Sequence, residues 1–178
     1  MSQPVTYTID PSHSTAGFKI RHLMVAYVRG EFSNVTGTVI IDPAEPGNTR
    51  IQASIDASTI HTRDEKRDDH LKSADFLDVE KFPTIDFVST KITGSGDEWK
   101  VTGNLTIHGV TKEVVLAVEG PAPEAKDPWG NTRTGASATT KINRKDFGLT
   151  WNMALETGGV LVADDLTITL EIELIRAA

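Results

Sequence analysis

The sequence predicts an all-β fold, an antiparallel barrel of about eight strands with one external α-helix. Three observations carry this prediction. Apolar residues alternate with polar ones along most of the chain, which is the period of a half-buried strand. Clusters of turn-forming residues separate the alternating segments. A single charged stretch breaks the period. Antiparallel sheets with one apolar and one polar face commonly close on themselves, and barrels of this size can hold one small ligand.

The strand predictions follow the alternation segment by segment. In the C-terminal segment, 166–174, Leu166, Ile168 and Leu170 face one way while Thr167 and Thr169 face the other. The other alternating segments predict strands at 5–9, 15–22, 35–41, 51–57, 84–92, 99–107, 112–119 and 133–142. Residues 42–48 and 93–98 read as loops, 108–112 as a hairpin connection and 120–131 as a longer surface loop.

The helix prediction rests on the charged segment 61–77. Thr62 and Glu65 have the spacing of a capping box, so we expect a helix over about 62–73. It has few apolar positions, and Leu71 and Phe76 would anchor it to the barrel. A second break is expected at 23–25, where three consecutive apolar residues favour a short helical turn.

Composition limits the possible partners and compartment. The 178 residues are most simply one domain, 1–178, and the net charge of −7 argues against a nucleic-acid partner. There is no cysteine, hence no disulfide and no thiol nucleophile. No apolar run reaches the length of a membrane helix. The N-terminus as written resembles no signal peptide, so we expect a cytoplasmic protein, or a periplasmic or secreted one if a leader was trimmed.

The predicted inner face carries several small residues, which bear on whether the barrel is hollow. They are Ala53, Ala57, Gly103, Ala136 and Ala138. Small inward side chains leave volume for a ligand, or else make room for large neighbouring side chains. The pattern alone leaves both possibilities open.

Four stretches together resemble the motifs of the YceI-like family. They are "DPSHSTAGFKIRH", "RDDHLKSADFLDVEKFPTIDF", "VTGNLTIHGVTKEV" and "INRKDFGLTWN", which occur in the family's order and span most of the chain. The resemblance implies a lipocalin-like barrel that encloses a polyisoprenoid-type or quinone-like amphiphile, for carriage, storage or sequestration. It implies a binding protein and not an enzyme. It also implies export for many members.

The candidate ligand-binding residues divide into walls and anchors. An isoprenoid tail needs a dry aliphatic and aromatic wall. The candidate wall residues, each equally explicable as core, are Phe18, Ile20, Phe32, Phe87, Leu105, Phe147 and Trp151. His22, Arg144 and Asn152 are candidates to hold the polar head near one end. We expect no catalytic residue, no metal and no cofactor beyond the bound lipid. A homodimer is possible.

Other chemistry is less well supported by the spacing of the residues. His13 and His22 lie nine residues apart, on opposite faces of an extended segment, so they are poorly placed to share a metal ion. His70 with Asp68 and Asp69 could form a polarised imidazole, but more often such a cluster is a helix surface. A pyrophosphate head could be held by arginines, of which Arg21, Arg63, Arg67 and Arg144 lie in the resembling motifs. The rival functions are an enzyme of isoprenoid or quinone metabolism and a stress-related interaction protein without a small ligand.

Overall fold

The computed structural model describes residues 2–156 and 159–178, and most of them lie in strands. The strands are β1 Val5–Ile9, β2 Thr15–His22, β3 Ala26–Phe32, β4 Val35–Ile41, β5 Arg50–Asp56, β6 Thr84–Ser95, β7 Glu98–Ile107, β8 Val110–Glu119, β9 Ala125–Lys126, β10 Thr132–Asn143 and β11 Val162–Arg176. The helix α1 spans Glu65–Lys72. The described helices include none long and apolar enough to cross a bilayer.

Eight strands close into an antiparallel barrel in the order β11-β1-β4-β5-β6-β7-β8-β10, with β10 pairing back to β11. The predicted lipocalin-like, all-β barrel with one helix is therefore confirmed. The β2–β3 hairpin and the short β9 are additional to the eight. β11 holds the closure, because one edge pairs with β10 while the other pairs first with β2 and then with β1.

The alternation seen in the sequence is the alternation between the inside and the outside of the barrel. Along β7, Val101, Leu105 and Ile107 are buried, whereas Asn104 between them is exposed. Burying the inward side chains of every strand removes apolar surface from water, which stabilises the closed sheet by roughly 25 cal/mol per Å². This burial fixes the register, since a slip of one residue would turn each apolar side chain outward.

The two ends of the barrel differ in their connections. We call one end the loop end, because it carries the β4–β5 loop, the β6–β7 turn and the loop between β8 and β10. We call the opposite end the helix end, because it carries the segment with α1, together with the β7–β8 turn and the connection between β10 and β11. The β7–β8 turn consists of His108 and Gly109 at φ 54° and 72°. Two left-handed residues suit a tight hairpin turn, so the predicted hairpin connection is confirmed.

The helix begins later than the capping box indicated. Asp64, not Thr62, is the N-cap, and its carboxylate accepts a hydrogen bond from the backbone N–H of Arg67. Thr62 is buried, and its hydroxyl donates to Asp68 Oδ1 at 2.5 Å. Arg63 between them adopts φ 66°, which a helix does not permit. The predicted start at residue 62 is therefore wrong because Thr62 serves as a buried partner of the helix and not as its first turn.

Residues 23–25 form the turn of the β2–β3 hairpin and not the expected helical turn. Leu23 and Met24 adopt left-handed backbone angles, φ 53° and 60°, and the chain then returns as β3. The prediction omitted β3, although Val28, Gly30 and Phe32 alternate with polar residues there.

Candidate ligand cavity

The barrel encloses an apolar cavity of about 500 Å³. Its middle section is lined by side chains from strands on all sides, and among them are Ile51, Ile55, Phe87, Leu105, Ile168 and Leu170. Several of these residues point inward yet are only partly buried, because they face the cavity and not another side chain. The volume falls within the range typical of small-molecule sites in proteins.

Small residues account for part of this volume. Ala53, Ala136 and Ala138 line the cavity, as a hollow interior requires. Gly103 has a different role, because a Cβ placed there would lie 2.4 Å from the Phe87 ring. Ala57 is almost fully buried in the core cluster. The small inner residues therefore divide between making space for a ligand and making space for a neighbouring ring.

The cavity is elongated along the strands. Trp99 and Ile107 both line it, and they lie at opposite ends of β7. Eight residue steps along an extended strand measure about 26 Å, so the cavity follows nearly the full length of β7. A long, narrow apolar space suits a linear hydrocarbon better than a compact polar metabolite.

The loop end carries the exposed part of the lining. Pro43, Pro46 and Pro121 line the cavity and are themselves exposed. At the helix end, by contrast, the lining residues Phe76 and Leu77 are buried, and Leu71 of α1 packs against the same core cluster. The helix segment thus covers one end of the barrel, and the proline rim marks the end that reaches the surface.

A buried arginine lies at the covered end. Arg144, 3% exposed, donates hydrogen bonds to the backbone carbonyls of Leu149, Trp151 and Ala163 at 2.7–2.8 Å, with a longer one to Val162 at 3.4 Å. Burial lowers the pKa of Arg144, opposed by the charge of Asp164 3.9 Å away. Its N–H groups thus join the turn at 144–147 to the segment that leads into β11, and four of its five donors are engaged.

Of the ten candidate binding residues, six line the cavity: Phe18, Ile20, Phe32, Phe87, Leu105 and Arg144. The rings of Phe18 and Phe32 pack against each other with centroids 5.8 Å apart. The other four, His22, Phe147, Trp151 and Asn152, are absent from the described lining. Contact of any of the ten with a ligand stays a prediction.

The four residues outside the lining have visible structural partners. Phe147 is 1% exposed in the core, as the turn "NRKDFGL" allows. Asn152 bonds both backbone groups of Val162 through its side-chain amide. Trp151 packs edge-on against His70 with centroids 4.8 Å apart. His22 ends β2 opposite Val162.

Sequence reasoning did not single out much of the lining. Ile51, Ile55, Ile168 and Leu170 were placed on apolar faces but not among the site residues. The signal that would have found them is the same alternation, extended to every inward position in the middle of a strand. Position along the strand matters here, because inward residues elsewhere pack against one another.

One cluster has the composition of a metal site. Asp10, His13 and Glu173 bring potential ligand atoms within 4.8 Å of one another. Arg133 already lies among them, donating from Nη1 to Asp10 at 2.7 Å and to Glu173 at 2.8 Å, and from Nε to Asp127 at 2.6 Å. A guanidinium thus compensates the carboxylates without an ion.

The same contacts set the charge of Asp10. Burial by itself would raise the pKa of Asp10, but the hydrogen bonds with Arg133, His13 and Ser12 outweigh it and hold the pKa well below its usual range. Hydrogen bonds to Asp127 and Asp10 raise the pKa of Arg133 further. The cluster is therefore a network of ion pairs centred on Arg133, on the outer face of β10 and β11.

The remaining histidines are spread over the surface. His61 lies 3.6 Å from Asp68, and His70 lies 2.8 Å from Asp75. The ring of His108 packs edge-on against Phe82 beside the β7–β8 turn. Among the described residues, the one group of three or more potential metal ligands, Asp10, His13 and Glu173, contains a single histidine.

Comparison with known proteins agrees with this architecture. Residues 7–174 match the YceI-like domain. The chain is 39% identical over 149 residues to Protein YceI of Salmonella newport (strain SL254), which covers 83% of this chain and 78% of that relative.

Solved structures show the same fold. The Campylobacter jejuni YCEI protein superposes with a TM-score of 0.74 at 30% identity, covering 90% of this chain and 91% of that one. A polyisoprenoid binding domain from Saccharophagus degradans, implicated in plant cell wall breakdown, superposes with a TM-score of 0.69 over 97% of this chain and 99% of its own, at 13% identity. That last likeness speaks to the fold alone. The resemblance seen in the four motifs is thus confirmed, and the chain belongs to the YceI-like family.

Proposed function

We propose that this protein binds one amphiphilic lipid with an isoprenoid or quinone-like tail inside its barrel, in order to carry, store or sequester it. The observation that carries the proposal is the elongated cavity of about 500 Å³ with an almost wholly apolar lining. Moving a hydrocarbon tail from water into such a space is favourable by about 25 cal/mol per Å² of apolar surface buried.

The arrangement of polar groups supports binding over catalysis. The polar side chains among the described lining are Asp42, Thr49, Thr140 and Arg144. Asp42 and Thr49 lie at the loop end, whereas Arg144 lies at the helix end with its donors engaged by carbonyls. Acid–base or nucleophilic chemistry needs such groups within hydrogen-bond reach of one another and of one reacting atom.

The two ends suggest the orientation of the lipid. The exposed prolines of the rim and the nearby Asp42 and Thr49 make the loop end the place where a polar head can remain in water. The tail then extends toward Phe76 and Leu77 beneath α1. Arg144 would lie near the end of the tail in this orientation, and its role would be to hold the backbone there.

The experiment is to ask whether lipid travels with the protein and whether filling the cavity removes it. Protein purified without added ligand is extracted with organic solvent, and the extract is analysed by mass spectrometry. The variant Ala138→Phe places a ring in the middle of the cavity, whereas Thr139→Phe places the same ring on the outer face of the same strand. Both variants are then loaded with a long-chain isoprenoid quinone.

We expect Ala138→Phe to retain at least tenfold less lipid than the wild-type protein, and Thr139→Phe to retain a normal amount. Melting temperatures measured on the same samples show that both variants fold. Equal lipid retention by both variants would contradict the proposal, as would a wild-type protein that carries no lipid and takes up none. Turnover of the loaded quinone would instead favour the enzyme alternative.

A further inference from the structure

The turn of the β2–β3 hairpin exposes three consecutive apolar side chains at the helix end of the molecule. Leu23, Met24 and Val25 are 41%, 61% and 74% exposed. Isolated exposed apolar residues are ordinary on protein surfaces, but adjacent ones at the tip of a projecting hairpin form a patch that calls for an explanation.

A second loop enlarges this patch. The backbone N–H of Leu23 donates to the carbonyl of Leu161, and the N–H of Leu161 donates to the carbonyl of Met153, both at 2.9 Å. These bonds bring Met153 and Val160, 56% and 37% exposed, beside the hairpin turn. We call the five exposed residues, Leu23, Met24, Val25, Met153 and Val160, the apolar tip.

Leu23 and Met24 adopt backbone angles that are unfavourable for bulky side chains. Leu23 and Met24 lie at φ 53° and 60°, a left-handed region that glycine and asparagine enter readily and bulky side chains do not. A hairpin turn of this kind is usually made by small or polar residues, as at His108 and Gly109 on the same end of the barrel. Apolar side chains here therefore make the turn less favourable, and they expose apolar surface to water in the free protein.

Basic residues lie along the outer face of the hairpin next to the tip. Tyr27, 48% exposed, has the Arg21 guanidinium 4.6 Å and the Lys19 ammonium 4.9 Å from its ring centroid. Arg29 lies directly opposite Lys19 in the strand register. We call Lys19, Arg21 and Arg29 the basic collar. Like charges opposite each other on adjacent strands are unfavourable unless something negative approaches them.

The collar is basic in a protein that is acidic overall. Between residues 15 and 32 there are three Lys or Arg residues and one acidic residue, whereas the whole chain has 18 basic and 25 acidic residues. The one acidic residue, Glu31, lies at the far end of β3, where its backbone forms a bridge with His61. On β11, which pairs with β2, Asp164 and Asp165 lie 3.3 Å and 3.8 Å from the ammonium groups of Lys145 and Lys141. Glu156 lies on the neighbouring loop.

We propose that the apolar tip and the basic collar dock this protein on the surface of a bilayer containing anionic phospholipid. The tip would enter the boundary between head groups and acyl chains, Tyr27 would lie at head-group level, and the collar would contact the lipid phosphates. The proposal rests on the proposed function in that a barrel which carries a membrane lipid must meet a membrane. The tip lies at the helix end, opposite the exposed prolines of the loop end, so docking through the tip and loading of the lipid are separate steps. A second copy docked tip to tip would bring two basic collars together, so charge complementarity favours an anionic lipid surface over self-association through the tip.

The experiment measures binding to sonicated vesicles by co-sedimentation. One set of vesicles contains phosphatidylcholine with about 30% phosphatidylglycerol, which is anionic, and the other contains phosphatidylcholine alone. We expect wild-type protein to sediment with the anionic vesicles, and to do so less as the salt concentration rises because screening weakens the collar. The double variant Met24→Asp/Val25→Asp should lower the partition coefficient at least tenfold, and Lys19→Gln/Arg29→Gln should lower it and remove most of the salt dependence.

Two matched controls act elsewhere on the surface. Trp129→Asp removes an apolar side chain that is 80% exposed at the loop end, and Lys100→Gln/Lys112→Gln removes two exposed charges from β7 and β8. Both controls should bind vesicles like the wild type. Equal binding by the tip variant and the Trp129 control would overturn the proposal, as would no vesicle binding at all. Concentration-dependent dimerisation that is lost in the tip variant, without vesicle binding, would assign the tip to a second copy instead.

Lipid retention in the barrel is measured on the same proteins. A tip variant that loses vesicle binding but retains lipid loaded from detergent supports docking as a separate step. Wild-type protein that binds vesicles through the tip yet holds no lipid would remove the proposed function and leave the docking surface standing. The two proposals therefore fail by different readouts.

Discussion

Arg133 and Arg144 lie at the two ends of β10, and the protein compensates their charges in different ways. Arg133, with a side chain 19% exposed, donates to the carboxylates of Asp10, Asp127 and Glu173. Arg144, 3% exposed, donates chiefly to backbone carbonyls. The first arrangement balances charge with charge, and the second balances charge with the dipoles of the peptide groups.

The two arginines have different surroundings. On the outer face near the loop end, Arg133 lies among three carboxylates, so the strength of this network depends on their protonation. At the helix end, the described residues 149–156 and 159–161 lie outside the named strands, and several carbonyls there and at the start of β11 take their partners from Arg144. One side chain with five donors supplies them, and carbonyls do not titrate.

The largest effect is expected from Arg144→Met, which keeps an unbranched apolar stem and removes every donor. We expect the free energy of unfolding to fall by about 3 kcal/mol or more, because several carbonyls would be left without partners in a buried region. Urea unfolding at pH 7 measures the change. The neighbouring Lys145→Met is the matched control, since that side chain is half exposed and should cost about 0.5 kcal/mol or less. Equal losses would show that the carbonyl contacts contribute little.

The effect of Arg133→Met on the free energy of unfolding should depend on pH. The pKa values of Asp10 and Asp127 are lowered in the folded protein, so the stability they contribute is present above the unfolded pKa, about 3.9, and is lost as the pH falls through the folded value. We expect a smaller loss than for Arg144→Met at pH 7, and a difference from wild type that shrinks as the pH is lowered from 7 to 2. Urea unfolding across that range is the measurement.

The loss caused by Arg144→Met should change little over the same pH range, because its main acceptors are carbonyls. Arg133→Lys supplies a control that keeps the charge and removes the forked geometry. A stronger pH dependence for the Arg144 variant than for the Arg133 variant would reverse the assignment of the two arginines.

The smallest effect is expected from Asp164→Asn. Asp164 is 43% exposed and its carboxylate lies 3.9 Å from Arg144, so the ion pair should be worth about 0.5 kcal/mol or less. Thermal or urea unfolding of this variant beside Arg144→Met separates the ion pair from the carbonyl contacts. A loss as large as that of Arg144→Met would mean that Arg144 is held by charge after all.

Local patterns were sufficient to predict most strands of the barrel. β7 and β11 have long, regular alternation, and the turn at His108 and Gly109 has residues suited to its backbone angles. β3 was missed because Tyr27 and Val28 are both apolar and follow an apolar turn, which hides the period. The helix start was misplaced because the partner of Thr62, Asp68, is chosen by tertiary packing.

The candidate site was predictable in part. Phe18, Ile20 and Leu105 were found because inward alternation identifies walls. The environment of Arg144 could not be foreseen, since its acceptors lie up to 19 residues away in a segment without periodicity. Whether Gly103 creates space or accommodates Phe87 likewise depends on how two neighbouring strands align, which no single segment records.

The pairing of β11 with β1 has a consequence for how the protein folds. The hydrogen bond between Thr8 and Ile175 joins residues 167 positions apart. Closing so long a loop costs chain entropy before its contacts repay it, and folds dominated by such contacts form slowly. On the ribosome, β1 to β8 can pair with their neighbours as they emerge, but the wall stays open until β11 arrives. The apolar inner face of the nascent sheet therefore stays exposed until β11 has been synthesised and can pair with β10 and β1.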